Sequence, residues 1–198
     1  MIFRIKPIQY KLLVWLFLFI QNLSFGQEVN ISRDINVRND FAYDIFSMKD
    51  KIYFYRDKGS EFFFDVFDKD LKYRRTQEVV PEDKKIFIES LHSIDSTLVL
   101  YYSYKEKDKW IIKAKKYSPE LTPVDTLEII SSDRPLEIGE MKTVLSEDKS
   151  HILLFNINKD KIRNIVIETK EFKVVKDEEI KLDDYKLKED FIEVCLTN

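Results

Sequence analysis

The chain has one cysteine in 198 residues, Cys195, so no disulfide can form within it whatever the redox state of its compartment. That residue reads as a small buried hydrophobe. An excess of basic side chains is also missing. With residues 1–26 set aside, 30 Lys and Arg stand against 36 Asp and Glu, a net charge of −6, and the lysines are interspersed with acids. Binding to a phosphate backbone depends on clustered Lys and Arg, so nucleic acid is excluded as a partner.

No hydrophobic run is long enough to cross a bilayer. The most apolar one, residues 12–20 (LLVWLFLFI), has nine residues, about half of the ~20 that a spanning helix needs. The chain is therefore not expected to be an integral membrane protein. The run follows a basic stretch with Arg4, Lys6 and Lys11, and no acid appears before Glu28. Ser24 and Gly26 place small side chains three and one residues before Gln27. This layout predicts a secretory signal peptide over 1–26, cut after Gly26, with the mature chain at 27–198. No cysteine lies near the cut, so lipoprotein processing is not expected. The SFGQ ending resembles signal peptides of Bacteroidota, which implies an exported protein of a Gram-negative periplasm, cell surface or extracellular space.

The common catalytic signatures are absent: there is no G-x-S-x-G elbow, no Walker loop and no H-E-x-x-H. His92 and His151 are 59 residues apart with no second His or Cys at ligand spacing, and read as structural histidines. Asp68 with Asp70, and Asp183 with Asp184, lack the alternating acidic loop and central glycine of an EF-hand-type site, and read as solvated turns. No catalytic, cofactor-binding or metal residue is assigned, and no cofactor is expected. Paired carboxylates for glycoside chemistry are defined by distance in space and not by spacing in sequence. The 36 acidic residues therefore leave a glycan-active hydrolase or lyase as an alternative.

Glycine is scarce, with Gly59 and Gly139 alone in the mature chain, while Phe, Tyr, Ile and Val recur in short runs that favour strands. Three segments align with one another: FDKDLK at 67–72, YSPELT at 117–122 and ETKEFK at 168–173. Each sets an acid (Asp70, Glu120, Glu171) before a large apolar residue (Leu71, Leu121, Phe172), at spacings of 50 and 51. Upstream of each marker come a turn with an aspartate (Asp50, Asp95, Asp148), an apolar run (IYFY from Ile52, LVLYY from Leu98, ILLF from Ile152) and a charged loop. Unbroken apolar runs suit strands covered on both faces.

Each unit is thus a four-stranded antiparallel meander, and the fold class is all-β. The strands are predicted at 41–48, 51–56, 61–67 and 73–80; at 86–93, 97–104, 109–117 and 124–130; and at 138–145, 151–157, 163–169 and 173–181. The repeats accordingly cover 41–80, 86–130 and 138–181. Over nearly all of 28–198 the chain resembles secreted bacterial β-propellers, in part, which implies blades stacked about an axis. It has no WD dipeptide at the blade ends and no kelch di-glycine. The rival architectures are a three-sheet β-solenoid and a sandwich. Residues 28–37 resemble a fourth strand and a lone strand at 191–197 resembles a first one, the two ends of a blade without its middle.

The aromatic clusters at Tyr53–Tyr55, Phe62–Phe64 and Tyr101, Tyr102 and Tyr104 read as packing between sheets. The lysines of 105–109 and 113–116 read as solvated faces. Together these features point to a non-enzymatic binding or interaction protein of the cell envelope, with a protein or glycan partner. Self-association or missing blades would complete the scaffold, and an inactive fragment of a longer propeller is the further alternative.

Overall fold

The computed structural model describes residues 34–38, 40–132, 141–158 and 161–181. The signal segment, Gly139, the Asp183–Asp184 pair, Cys195 and the strand at 191–197 lie outside the described residues. Of 28–37 only 34–37 is described. It is not in a strand, because Asp40 N–H bonds the Val37 carbonyl and Arg38 N–H bonds Asn36 Oδ1, which turns the chain.

Twelve strands are present among the described residues. The first sheet holds β1 (Ala42–Met48), β2 (Lys51–Asp57), β3 (Phe62–Asp68) and β4 (Tyr73–Glu78). The second holds β5 (Phe87–Ile94), β6 (Thr97–Glu106), β7 (Lys109–Tyr117) and β8 (Pro123–Ser132). The third holds β9 (Lys142–Leu145), β10 (His151–Asn158), β11 (Lys161–Glu168) and β12 (Lys173–Lys181). Each sheet is an antiparallel meander in chain order. The three repeats therefore stand as read from the sequence, with boundaries within two residues except at β9, where 138–140 lies outside the described residues.

The repeat extends to the backbone of the turns. Leu71, Leu121 and Phe172, the apolar residues of the three markers, all adopt a left-handed conformation, with φ of 60°, 61° and 51°. In the first two sheets the turn closes in the same way: Leu71 N–H bonds Asp68 O and Leu121 N–H bonds Ser118 O. The next rung runs from Asp68 N–H to Lys72 O and from Ser118 N–H to Thr122 O. A turn followed by one left-handed residue is a three-residue hairpin loop, and glycine is its usual occupant. A large side chain there costs roughly 1–2 kcal/mol, so something must compensate for it.

The compensation lies between the sheets. A forward face, toward the next sheet, and a rear face, toward the previous one, alternate along each strand. Forward residues Tyr53, Tyr55, Phe62, Phe64 and Val66 of the first sheet form one core with rear residues Leu98, Leu100, Tyr102, Tyr104 and Tyr117 of the second. Forward residues Val99, Tyr101, Ile112 and Ala114 of the second form another with rear residues Ile152, Leu154, Ile165 and Ile167 of the third. Leu121 is buried in the first core and Phe172 in the second, each worth about 1.5–3 kcal/mol of burial. All three aromatic clusters of the sequence contribute to these cores. The sheets stack in chain order and, among the described residues, are not closed into a ring.

Candidate functional site

Polar chemistry gathers at the sheet junctions. The hydroxyl of Tyr53 donates to the Pro119 carbonyl at 2.5 Å, Arg75 Nη2 to Glu120 O at 3.1 Å and Gln77 Nε2 to Leu121 O at 3.4 Å. Lys51 adds an ion pair to Glu120 at 3.2 Å. The first sheet thus caps the carbonyls of the turn that carries Leu121. At the next junction Lys116 Nζ donates to Thr169 O at 2.9 Å and lies over the Phe172 ring, 4.4 Å from its centroid. Burial pushes the Tyr53 hydroxyl up to about 12, so it remains a donor at any physiological pH.

The second feature is built on the linker between β4 and β5. Glu82 accepts from the Tyr102 hydroxyl at 2.9 Å and from Lys113 Nζ at 3.1 Å, while Lys115 Nζ donates to Pro81 O at 2.7 Å. Burial acts to raise the Glu82 pKa, but the bonds from Tyr102 and Lys113, with the charges of Lys113 and Lys115, outweigh it and hold the carboxyl below its ordinary value. Burial likewise acts to lower Lys113, and bonds to Tyr104 and Glu82 leave it above its ordinary value. An ionised acid and a protonated amine so held form a clasp, with no proton to exchange near neutrality. A cavity of about 410 Å³ opens beside this linker, lined by Ser60, Phe62, Glu78 and residues 79–85.

The lysines of 113–116 are thus not a solvated face. They lie on β7, a strand covered on both sides, where their stems are half-buried and their amines reach an acid or a carbonyl of a neighbouring segment. Residues 105–109 are exposed, as the sequence suggested. His92, half-buried on β5, places Nε2 2.7 Å from Thr143 Oγ1 on β9 and stands edge-on to Tyr101. His151 Nδ1 lies 2.7 Å from Ser150 Oγ. Asp68 accepts from the N–H groups of Asp70 at 3.0 Å and Lys72 at 2.9 Å and from Arg74, which makes it a turn cap. Among the described residues no three His, Cys, Asp or Glu side chains group as a metal site.

The rear face of the first sheet is the third feature. Its centre is polar and closed on itself: Arg56 Nε bonds Asp65 Oδ2 at 2.9 Å, Thr76 donates to Asp65 Oδ1, and the Tyr73 hydroxyl lies 2.9 Å from Thr76 Oγ1. Asp40, from the residues before β1, approaches Arg56 at 3.9 Å. Around this centre Phe41, Tyr43, Ile45 and Leu71 are 81%, 63%, 64% and 42% exposed. Ile45 stands opposite Phe54 and Tyr43 opposite Arg56, so both lie on the rear face, and the Phe41 ring rests on Gly59. That glycine has φ of +84°, and a side chain there would meet the ring at 2.7 Å. In the other repeats the corresponding positions are filled by the preceding sheet, with Leu121 2% and Phe172 6% exposed.

Comparison with known proteins leaves this chain without a family. No family model matches it. No curated protein matches it either. Three solved chains do show similarity. One, described as the crystal structure of the eukaryotic initiation factor, is similar over 72% of this chain at 9% identity with a TM-score of 0.32. This chain covers 44% of that one. A likeness of that strength carries no argument about fold or function.

The sequence had singled out the aromatic clusters, the histidines and the acidic pairs. The structure brings the aromatics together as core, places the histidines in separate hydrogen bonds, and leaves Asp68 and Asp70 in a turn. Sequence reasoning missed Glu82 and the Arg56–Asp65 pair. Glu82 sits in a charged linker (PEDKK) with no pattern to distinguish it from a solvated loop. Asp65 had a signal, a single acid in the run FFFDVF of a strand buried on both faces.

Proposed function

We propose that this chain is an exported, non-enzymatic interaction protein of the cell envelope, built on a β-propeller-like stack of sheets. The observation that carries the reading is the rear face of the first sheet, where Phe41, Tyr43, Ile45 and Leu71 surround a buried polar centre. Their combined exposed surface, at ~200 Å² for each fully exposed large side chain, is about 500 Å², in the range where the largest patch of a soluble protein is often functional. The junction carboxylate and amine, Glu82 and Lys113, are held charged and engaged, which suits a scaffold. The basic N-terminal stretch, the nine-residue apolar run and the small residues before Gln27 support export. Among the described residues no helix is long and apolar enough to cross a membrane.

The test combines fractionation with crosslinking in cells. Protein recovered from the envelope or medium is expected to begin at Gln27 by intact mass. A photo-crosslinking amino acid in place of Tyr43 is expected to give adducts that the same amino acid at Lys107 does not. Retention in the cytoplasm would remove the export, and the absence of adducts at position 43 would remove the interaction.

A further inference from the structure

The rear face of the first sheet occupies the position that a sheet covers in each of the other two repeats. Ile52 and Phe54 are half-buried, whereas their counterparts Leu98 and Leu100, and Ile152 and Leu154, are buried beneath the preceding sheet. The missing cover is therefore sheet-like, flat and apolar. The sheet faces of this chain differ sharply in what they have left to offer. The forward face of the first sheet, both faces of the second and the rear face of the third are in the two cores. On the forward face of the third sheet Leu153 and Phe155 are already buried, 7% and 4% exposed. Four of the exposed large hydrophobics among the described residues, Phe41, Tyr43, Ile45 and Leu71, gather on the rear face of the first sheet, whereas the forward face of the third keeps Ile180 at 40%.

We propose that this face pairs with the same face of a second copy of the chain, making a two-fold, sheet-on-sheet dimer. A surface that meets itself must be self-complementary. This one qualifies, because its exposed side chains are chiefly Phe41, Tyr43, Ile45 and Leu71 and its buried guanidinium lies between Asp65 at 2.9 Å and Asp40 at 3.9 Å. The charges of the centre, Arg56, Asp65 and Asp40, have side chains no more than 10% exposed, so covering the face removes little further water from them. The area is also adequate: the four exposed side chains, with the half-buried Ile52, Phe54 and Phe63 beside them, approach the ~800 Å² per partner of a standard interface. The inference rests on the interaction reading above and names the partner.

Light scattering coupled to size exclusion tests it on protein expressed from Met1 and purified with the N-terminus it retains. Twice the chain mass is expected across a dilution series. Ile45→Lys and Tyr43→Lys, both on the exposed rim, should each weaken the dimer at least tenfold, about 1.4 kcal/mol, while Lys107→Glu leaves it intact. Hydroxyl-radical labelling of Phe41 and Tyr43 in the unaltered chain should fall as concentration rises, a readout that needs no variant. A monomer at every concentration, a dimer indifferent to both rim variants with unchanged labelling, or open-ended multimers would each overturn the proposal. A monomer that still forms adducts at position 43 in cells would remove the second copy and leave the interaction reading standing.

Discussion

Leu71 and Leu121 occupy the same place in two copies of one turn, with φ of 60° and 61°, and differ in what lies over them. Leu121 sits under the forward face of the first sheet, its turn capped by Tyr53, Arg75 and Gln77. Leu71 has the same strained backbone and no sheet above it among the described residues. The difference teaches that the left-handed backbone belongs to the turn, since Leu71 and the exposed Lys49, Lys107 and Lys149 all adopt it, while the burial belongs to the junction. The backbone strain is fixed, and burial under the preceding sheet offsets it. At Leu71, where no such sheet lies over the turn among the described residues, the side chain is 42% exposed.

The largest expected effect comes from the covered side. Leu100→Ala should destabilise the protein by about 2–5 kcal/mol, because the side chain is fully buried in the first junction. Phe54→Ala, at the corresponding position of the first rear face, should cost roughly half as much in chain dilute enough to be monomeric and approach the Leu100 value where the second copy covers it. Urea unfolding midpoints over a dilution series compare the two, and a ratio that ignores concentration would mean that no second copy covers that face.

A second comparison exploits the strain. Leu121→Gly relieves the left-handed backbone but empties the junction, for a net loss of about 2 kcal/mol. In chain dilute enough to be monomeric, Leu71→Gly gives the same relief with less burial to lose, the residue being 42% exposed, so its unfolding temperature should hold or rise. A loss at Leu71 matching that at Leu121 would contradict the assignment of its face as open.

These contrasts separate what is legible in the amino-acid order from what only the folded chain displays. The three markers are legible because one turn recurs at a fixed spacing with a large apolar residue at its left-handed position, where glycine is usual. The central strands are legible because two covered faces leave no room for polar alternation, as in IYFY and LVLYY. Partnerships across junctions are not legible. Lys113, Lys115 and Lys116 have the spacing of a solvated strand, and only the third dimension shows their amines engaged on neighbouring segments. The exposure of the first rear face is equally hidden, since Phe41, Tyr43 and Ile45 alternate as any half-buried strand does.

The clasp at Glu82 gives a smaller effect with a defined pH dependence. Its folded-state pKa lies below the ordinary glutamate value, so its contribution is complete above that value and is lost as pH falls through the folded one. Glu82→Gln should cost about 1 kcal/mol at neutral pH, and the difference from the unaltered chain should vanish in the acid limb. A cost that persists undiminished in acid would assign Glu82 a packing role alone.

The smallest effect is where β5 meets β9. Burial holds the His92 pKa below the ordinary imidazole value, against the pull of Asp44. Stability is therefore complete above that ordinary value and declines as pH falls through the folded one. His92→Gln should flatten the unfolding midpoint between neutral and mildly acidic pH by a few tenths of a kcal/mol, about what one partly buried hydrogen-bonding group contributes. An unchanged slope would place the titration elsewhere.

The turn caps have a direction as well as a strength. Tyr53, Arg75 and Gln77 precede the carbonyls they cap by more than forty residues, and Lys116 precedes Thr169 in the same sense. Each donor leaves the ribosome before its acceptor. Synthesis proceeds from the N-terminus at a pace that lets early segments fold first, so each sheet emerges onto a finished template. Assembly is then vectorial, and errors propagate one way. A lesion in the first sheet deprives the later turns of their caps, whereas a lesion in the third leaves the earlier junction intact. Ribosome-bound chains of increasing length should accordingly gain protease resistance in two steps, as the first and then the second core closes, and Tyr53→Phe should weaken the first step.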